Sequence, residues 1–458
     1  MMRSMYSAVS GLKTHQTKMD VIGNNIANVN TVAFKSSAVT FSEIMYQTIS
    51  SASGANEATG TGGINAKQIG LGVTTGATNV SITSSGAAQT TGNAFDIRLT
   101  DANSTNFFIV NNGSENLFTR AGSFYVDGSG NLCMTSTGYT VMGWQVQTDP
   151  QTGEKTIKKD TVSALKVMSA DNMTSAPEAT TNAYVAGILD KNTADLTNGG
   201  LVMTLNFTDK LGYSYTAKFN IVPTSTGSQE QGDYTVSLTD IIDQNNESCF
   251  ATGKIAGTKE SVFASTQLKF KPEDGTFDFV NAAGTSAVTM NLAGTWNDQF
   301  SDINVDFGSC KMDNNNKQST ISAKPGTSSM DTTGKGKKLG ALTGLSVDTS
   351  GKIWGTYDNG NTELLCQIAS AQFANASGLE KVGENCYTTT LNSGDFDGIG
   401  TEITADGSKM TSGQLEMSNV DLSTEFTDMI TTQRGFQANS RIITTSDTLL
   451  EELVNLKR

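Results

Sequence analysis

The chain has 458 residues, a length that points to two to four domains, and a formal net charge of −14. That charge repels phosphate backbones and anionic lipid, so nucleic acid and membrane surfaces are poor partners. No uninterrupted apolar run exceeds four residues, as in Phe107–Val110, far short of the roughly 20 needed for membrane insertion or the roughly 7–15 of a secretory signal core.

From the N-terminus, Met5, Leu12, Met19 and Ile26 recur every seven residues, with Val9 and Ile22 on the same stripe. This spacing predicts an amphipathic helix with a coiled-coil-like seam. Gly23, Asn24, Asn25, Asn28 and Asn30 are poor helix formers and should end it between Asn24 and Asn30. Residues 50–66, rich in Ser, Gly, Ala, Thr and Asn, read as a flexible linker, taken in full as residues 31–70.

From Gly70 the pattern turns to β-structure. Tyr213, Tyr215, Ala217, Phe219 and Ile221 alternate with polar residues, and Leu201–Phe207 precedes them across Asp209-Lys210-Leu211-Gly212, which predicts a hairpin. Leu268 and Phe270, then Pro272–Gly275, then Phe277 and Phe279 predict a second. Asp127-Gly128 and Asp358-Asn359-Gly360 are turn signals. All five prolines, Pro150 to Pro325, lie in this middle region.

At the C-terminus the heptad returns: Leu415, Leu422, Met429, Phe436, Ile443 and Leu450, with Phe426, Ile430, Leu453 and Val454 beside it. Ser418 with Asp421 resembles a capping box, and Lys457 and Arg458 suit the negative end of the helix dipole. Residues 1–35 carry four basic side chains against one acidic, and residues 413–458 carry seven acids and four bases, so the two ends attract. Gln433, Ser440 and Asp447 interrupt the second row of the seam, and a lone helical pair would be weakly stable. The ends are therefore expected to be largely disordered alone and to order on assembly.

Chemical motifs are few. The one histidine, His15, has no partner that would make it a general base. Cys133, Cys249, Cys310, Cys366 and Cys386 are scattered, without zinc-type spacing or an even count, and read as free thiols. Gly70–Gly76 places its last glycine one position too late for a dinucleotide loop, and Gly334–Lys338 lacks the earlier glycine of a phosphate loop. Ser393–Gly398 resembles a calcium loop, yet Ser393 and Thr404 fall where its first and last ligands belong, so a turn is the better account. Catalytic, metal and cofactor-binding residues are assigned to none.

The ends resemble the bacterial flagellar rod and hook family. The matching residues are Ser10-Gly11-Leu12, Met19–Thr31 and Phe34-Lys35, then Ser418–Leu422, Met429-Ile430, Gln433-Arg434 and Gln437-Ala438-Asn439. Inner matches include Thr91-Gly92-Asn93, Phe107–Val110, Thr119–Phe124, Gly138-Tyr139, Gly143-Trp144, Phe373-Ala374-Asn375 and Gly378-Leu379. Ala33 stands where the family usually has glycine, and Asp101–Asn106 is longer than its usual turn. The extra residues at about 160–340 resemble the hook-forming members.

The resemblance implies a multidomain α+β chain. Residues 1–30 and 412–458 would form a terminal helical assembly domain, and 71–160 with 340–411 an inner β-rich domain. Residues 161–339 would form an outer inserted β-rich domain. The implied role is a non-enzymatic structural subunit that polymerises into a curved, torque-transmitting tube. Its partners would be copies of itself, distal rod, cap and hook–filament junction proteins, and the flagellar type III export apparatus, with no cofactor. The assembly interface would comprise Leu12, Met19, Ile22, Ile26, Leu415, Leu422, Phe426, Met429, Phe436, Ile443 and Leu450. A distal rod subunit with an insertion and an extracellular β-rich adhesin are the competing readings.

Overall fold

A computed structural model describes residues 2–55, 60–148, 155–281, 284–294 and 298–456. Lys457, Arg458, Pro150 and part of the expected linker thus lie outside the described residues. The chain divides into two compact units. The first comprises residues 1–169, 345–355 and 364–458, and the second residues 170–344 and 356–363. The expected outer boundary at residue 161 moves, because Ser163-Ala164 pairs with Met142-Gly143 inside the first unit.

In the first unit, helix α1 (Met2–Ala27) and helix α2 (Leu422–Asn455) pack together. Turns at residues 28–30 follow α1, where the asparagines forecast its end. Much of the described part of the expected linker is strand. Strand β1 (Ser37–Glu43) pairs antiparallel with β4 (Val73–Val80), and β2 (Tyr46–Ser50) pairs with β3 (Lys67–Gly70). Val39, Phe41, Tyr46, Ile49, Ile69 and Val73 favour extended backbone and prevail over the small residues around them.

The rest of this unit is a β-sheet built on the apolar run Asn106–Asn111. That strand pairs with Asn116–Thr119, with Thr140–Thr148 and with Ser370–Gln372, and its residues 106–110 are all buried. Two separate two-stranded sheets bring the returning chain beside it: Lys409–Ser412 pairs with Ile97–Thr100, and Gln414–Glu416 with Ala88–Thr90. Leu415 therefore sits on a strand, buried, and not on the C-terminal helix as expected. Three-residue alternation in Gln414–Glu416 suits an edge pairing, and helix starts only after Asp421, whose carboxylate accepts the amide of Ser423 at 3.0 Å. Ser418 caps nothing in that helix, its hydroxyl accepting from Val420.

The second unit is a two-sheet β-structure. Leu201–Thr208, Ser214–Pro223, Asp233–Ile242, Thr266–Phe270 and Phe277–Val280 form an antiparallel meander in chain order. Both forecast hairpins lie in it, with Leu201 opposite Ile221 and Leu268 opposite Val280. The other sheet holds Asn182–Ile188, which runs parallel to Ile303–Lys311 and antiparallel to Ser322–Pro325. Alternate side chains of both sheets share one core: Ala217, Phe219 and Ile221 meet Val185, Val305 and Phe307, all fully or almost fully buried. Phe219 stands edge-on to Phe263 with ring centroids 5.1 Å apart. Phe219→Ala is expected to lower the stability of this unit by about 3–5 kcal/mol, read as an earlier thermal transition of the full chain with the ellipticity of the terminal helices retained.

Candidate functional site: the terminal helix pair and its junction

The functional candidate is a surface rather than a catalytic pocket. Asn25, Lys18, His15 and Gly11 of α1 meet Glu425, Asp428, Gly435 and Asn439 of α2, an antiparallel pairing. Asn25 donates to Glu425 Oε1 at 2.8 Å and also bonds the backbone of Ser37, accepting from its amide at 3.0 Å. Lys18 lies 3.4 Å from Asp428, the charge attraction the sequence forecast. A side chain at Gly11 would stand 2.6 Å from the Asn439 amide, and one at Gly435 would stand 2.8 Å from the His15 ring. The helices thus touch through small and polar residues, Ala8, Gly11, Thr14, Thr432 and Ser446 being buried. Both ends are helical and pack on each other within one chain.

This close approach changes the roles of the heptad residues. Ile22 is buried, while Leu12, Met19, Ile26, Met429, Ile443 and Leu450 are half-buried. Leu422, Phe426 and Phe436 are exposed, as are Ile430, Ile442, Leu449 and Leu453, none of which was in the expected interface. The period of seven was legible; which side of it faces α1 was not. Two glycines brought the backbones together and turned much of the apolar stripe outward.

His15 meets Phe41 of β1 edge-on at 5.5 Å, and burial together with the Lys18 charge holds its pKa below the usual imidazole range. Its ring packs against that of Phe41. All five cysteines are free and buried. Burial pushes the thiols of Cys366 and Cys310 up to about 12 and those of Cys249 and Cys386 to about 11. They are expected to resist iodoacetamide in the native chain at pH 8 and to react on unfolding, which mass spectrometry would count. Asp397 accepts backbone amides from Ile399 and Gly400, the turn expected of Ser393–Gly398. Among the described residues no group of three or more His, Cys, Asp or Glu could hold a metal ion.

Where the helices join the β-sheet lies a cluster that the sequence reading missed. Lys35, Arg120 and Glu416 are each about 1% exposed at the side chain. Lys35 Nζ is 2.7 Å from Glu416 Oε1, and Arg120 Nη2 is 3.0 Å from Glu416 Oε2. Arg120 also reaches Asp101 Oδ2 at 2.7 Å and the carbonyl of Asn106 at 2.6 Å. Lys35 donates to the Ser84 carbonyl at 2.6 Å, and Gly86 N–H donates to Glu416 at 3.0 Å. Two cations and two anions therefore neutralise one another. The signal was present as charged residues bordering apolar runs, Phe34-Lys35 and Phe118-Thr119-Arg120.

Two departures from the family pattern find their geometry beside this cluster. Ala33 has φ of 58°, the left-handed region that glycine occupies without strain. Its cost of roughly 1–2 kcal/mol is offset in part by full burial of its methyl and by its N–H donating to Glu416 O at 2.8 Å. The longer Asp101–Asn106 turn is held by Asp101 Oδ1, which accepts the Asn106 amide at 3.2 Å, and by Asp406, which accepts from Asn106 and Ser104.

Burial raises the Glu416 pKa, but Arg120, Lys35 and the Gly86 amide outweigh it and hold the carboxyl below its usual range. A depressed carboxylate stabilises the fold above its unfolded pKa of about 4.3, and that contribution is lost as pH falls through the folded value. Glu416→Gln is expected to cost about 3–5 kcal/mol at pH 7 by leaving buried cations unpaired. It should also flatten the acid limb of stability, as read from urea unfolding at pH 7 and pH 4.

Comparison with known proteins covers the same regions. The flagella basal body rod protein family matches residues 5–35, the flagellar hook protein FlgE/F/G D1 domain matches 103–164, and the flagellar basal body rod FlgEFG protein C-terminal family matches 411–456. The chain is 33% identical to the flagellar hook protein FlgE of Treponema pallidum over 485 aligned positions and 34% identical to that of Borreliella burgdorferi over 483, each alignment spanning both chains in full. It is 30% identical over 458 positions to the flagellar basal-body rod protein FlgG of Bacillus subtilis, again across the whole of both chains.

Proposed function

This chain belongs to the flagellar hook protein family, and from that premise we propose that it polymerises through its terminal helices into the curved tube that carries torque from rod to filament. The observation that carries this reading is the outward apolar stripe of α2. Leu422, Phe426, Ile430 and Phe436 are 36–58% exposed. Burying each such side chain fully contributes roughly 1.5–3 kcal/mol, which gives copies of the chain a reason to associate. On α1, Tyr6 and Val9 extend the same kind of surface. Leu12, Met19, Ile26, Met429, Ile443 and Leu450, half-covered already, would complete their burial there, while Ile22 and Leu415 serve the fold of the single chain.

Family membership also supports export through the flagellar type III route without signal cleavage, and contact with distal rod, cap and junction proteins at the ends of the tube. The second unit, inserted in the sequence of the first, has its own closed core and so tolerates rigid-body displacement during bending. The full-length rod relative keeps a rod subunit as the other reading. The greater identity of the two hook relatives favours the hook.

Electron microscopy of concentrated full-length protein tests both. Curved tubes support the hook, straight tubes the rod, and persistent monomers alongside a pre-formed nucleus would overturn assembly. Leu422→Asp and Phe436→Asp should abolish tubes while leaving thermal unfolding of the monomer nearly unchanged, because both side chains are exposed in the single chain.

A further inference from the structure

Two segments that stand out in the sequence without a role, Gly334–Lys338 and the Asp358-Asn359-Gly360 turn, meet in the second unit. Ala341 N–H donates to Asp358 Oδ1 at 2.8 Å, and Asp358 N–H donates to Ala341 O at 3.0 Å. Asn359 Nδ2 donates to Lys338 O at 2.9 Å, while Asn359 Oδ1 accepts the Asn361 amide at 2.9 Å. Gly340 makes room for this fastening, since a side chain there would stand 2.5 Å from Asn359.

Asn361 ends this turn, buried, with both halves of its side-chain amide engaged. Its Nδ2 donates to Ser175 Oγ at 2.8 Å, and the fully buried Ser175 donates its one hydroxyl proton to Glu363 Oε1. Ser175 can therefore only accept from Asn361, which fixes Nδ2 toward the serine and Oδ1 toward Lys337. Lys337 Nζ donates to that Oδ1 and lies 3.7 Å from Glu178 Oε2. Glu178 and Lys337 face each other across an antiparallel bridge, exchanging backbone hydrogen bonds of 2.9 and 2.8 Å. An amine, a primary amide and a carboxylate are thereby held together by the backbone.

We propose that Lys337 and Asn361 are a modification site at which the chain joins itself by an isopeptide bond, with Glu178 carrying the protons. Glu178 takes a proton from the Lys337 ammonium, which frees the Nζ lone pair. Nζ then bonds to Asn361 Cγ and sheds a second proton as the Cγ–Nδ2 bond breaks. Nδ2 takes up both protons and leaves as ammonium, while Oδ1 stays as the carbonyl oxygen of the new amide. Nothing is oxidised or reduced. Fixed contact between the reacting groups supplies the effective concentration that free lysine and asparagine lack. The bond closes a covalent loop around Leu345–Gly355, a stretch that belongs to the first unit. The segments that leave and re-enter the second unit around that stretch are thus tied by more than backbone hydrogen bonds.

Mass spectrometry of the folded full-length protein tests this. The expected mass is about 17 Da below that of the sequence, one ammonia lost. Tryptic digestion should yield a branched peptide joining Lys337 to Asn361, uncut after Lys337. Lys337→Arg and Asn361→Ala should each restore the full mass for its sequence, with circular dichroism showing that the variant is folded. Glu178→Gln keeps amine and amide in place and should slow the bond's formation after cell-free synthesis at least about tenfold. An unchanged rate would strike Glu178 from the step. The full sequence mass in the unsubstituted protein would leave a hydrogen bond alone and overturn the proposal. Ammonia lost within a single linear peptide, as by cyclisation of Asn359 before Gly360, would overturn it equally.

Discussion

The first unit depends on one buried carboxylate. Glu416 lies just before the C-terminal helix, Lys35 just after the N-terminal one, and Arg120 in the β-sheet between them. A buried charge costs several kcal/mol unless its partners are in place, so the fold is satisfied only when all three segments meet in one register. The backbone reinforces this, with Ala33 N–H on the Glu416 carbonyl and Asn419 Oδ1 accepting the amide of Ser36 at 2.8 Å. Chain positions nearly 400 residues apart are thereby held at one point, and the two helices leave it as an antiparallel pair.

That pairing is achieved with glycine, serine, threonine and asparagine rather than with large apolar side chains. The consequence is a division of labour along a single stripe. Small residues fix the two helices to each other, and Leu422, Phe426, Ile430 and Phe436 stay available to other molecules. An isolated soluble domain would bury such residues. A subunit whose proper surroundings are further copies of itself has reason to expose them.

Much of this was readable beforehand. The heptads located both helices, the asparagines marked the end of α1, and strict alternation located the hairpins of the second unit with their turns. The errors share a cause. Residues 37–50 and 67–70 fell within the linker expected over 31–70 because the stretch 50–66 between them is rich in Ser, Gly, Ala, Thr and Asn, yet antiparallel pairing made them strands. Leu415 fits the heptad arithmetic, but strand pairing with Gln89 claims it first. Ser418 looked like a cap, while Asp421, three residues on, holds the helix amide.

Local periodicity and side-chain chemistry thus determined which segments are helix and which are hairpin. These depend on neighbours a few residues apart and survive without the rest of the chain. Tertiary structure alone decided which face of each helix is covered and that Lys35, Arg120 and Glu416 neutralise one another. Those outcomes depend on contacts between distant segments, where close approach at Gly11 and Gly435 and the cost of an unpaired buried charge select one arrangement among many.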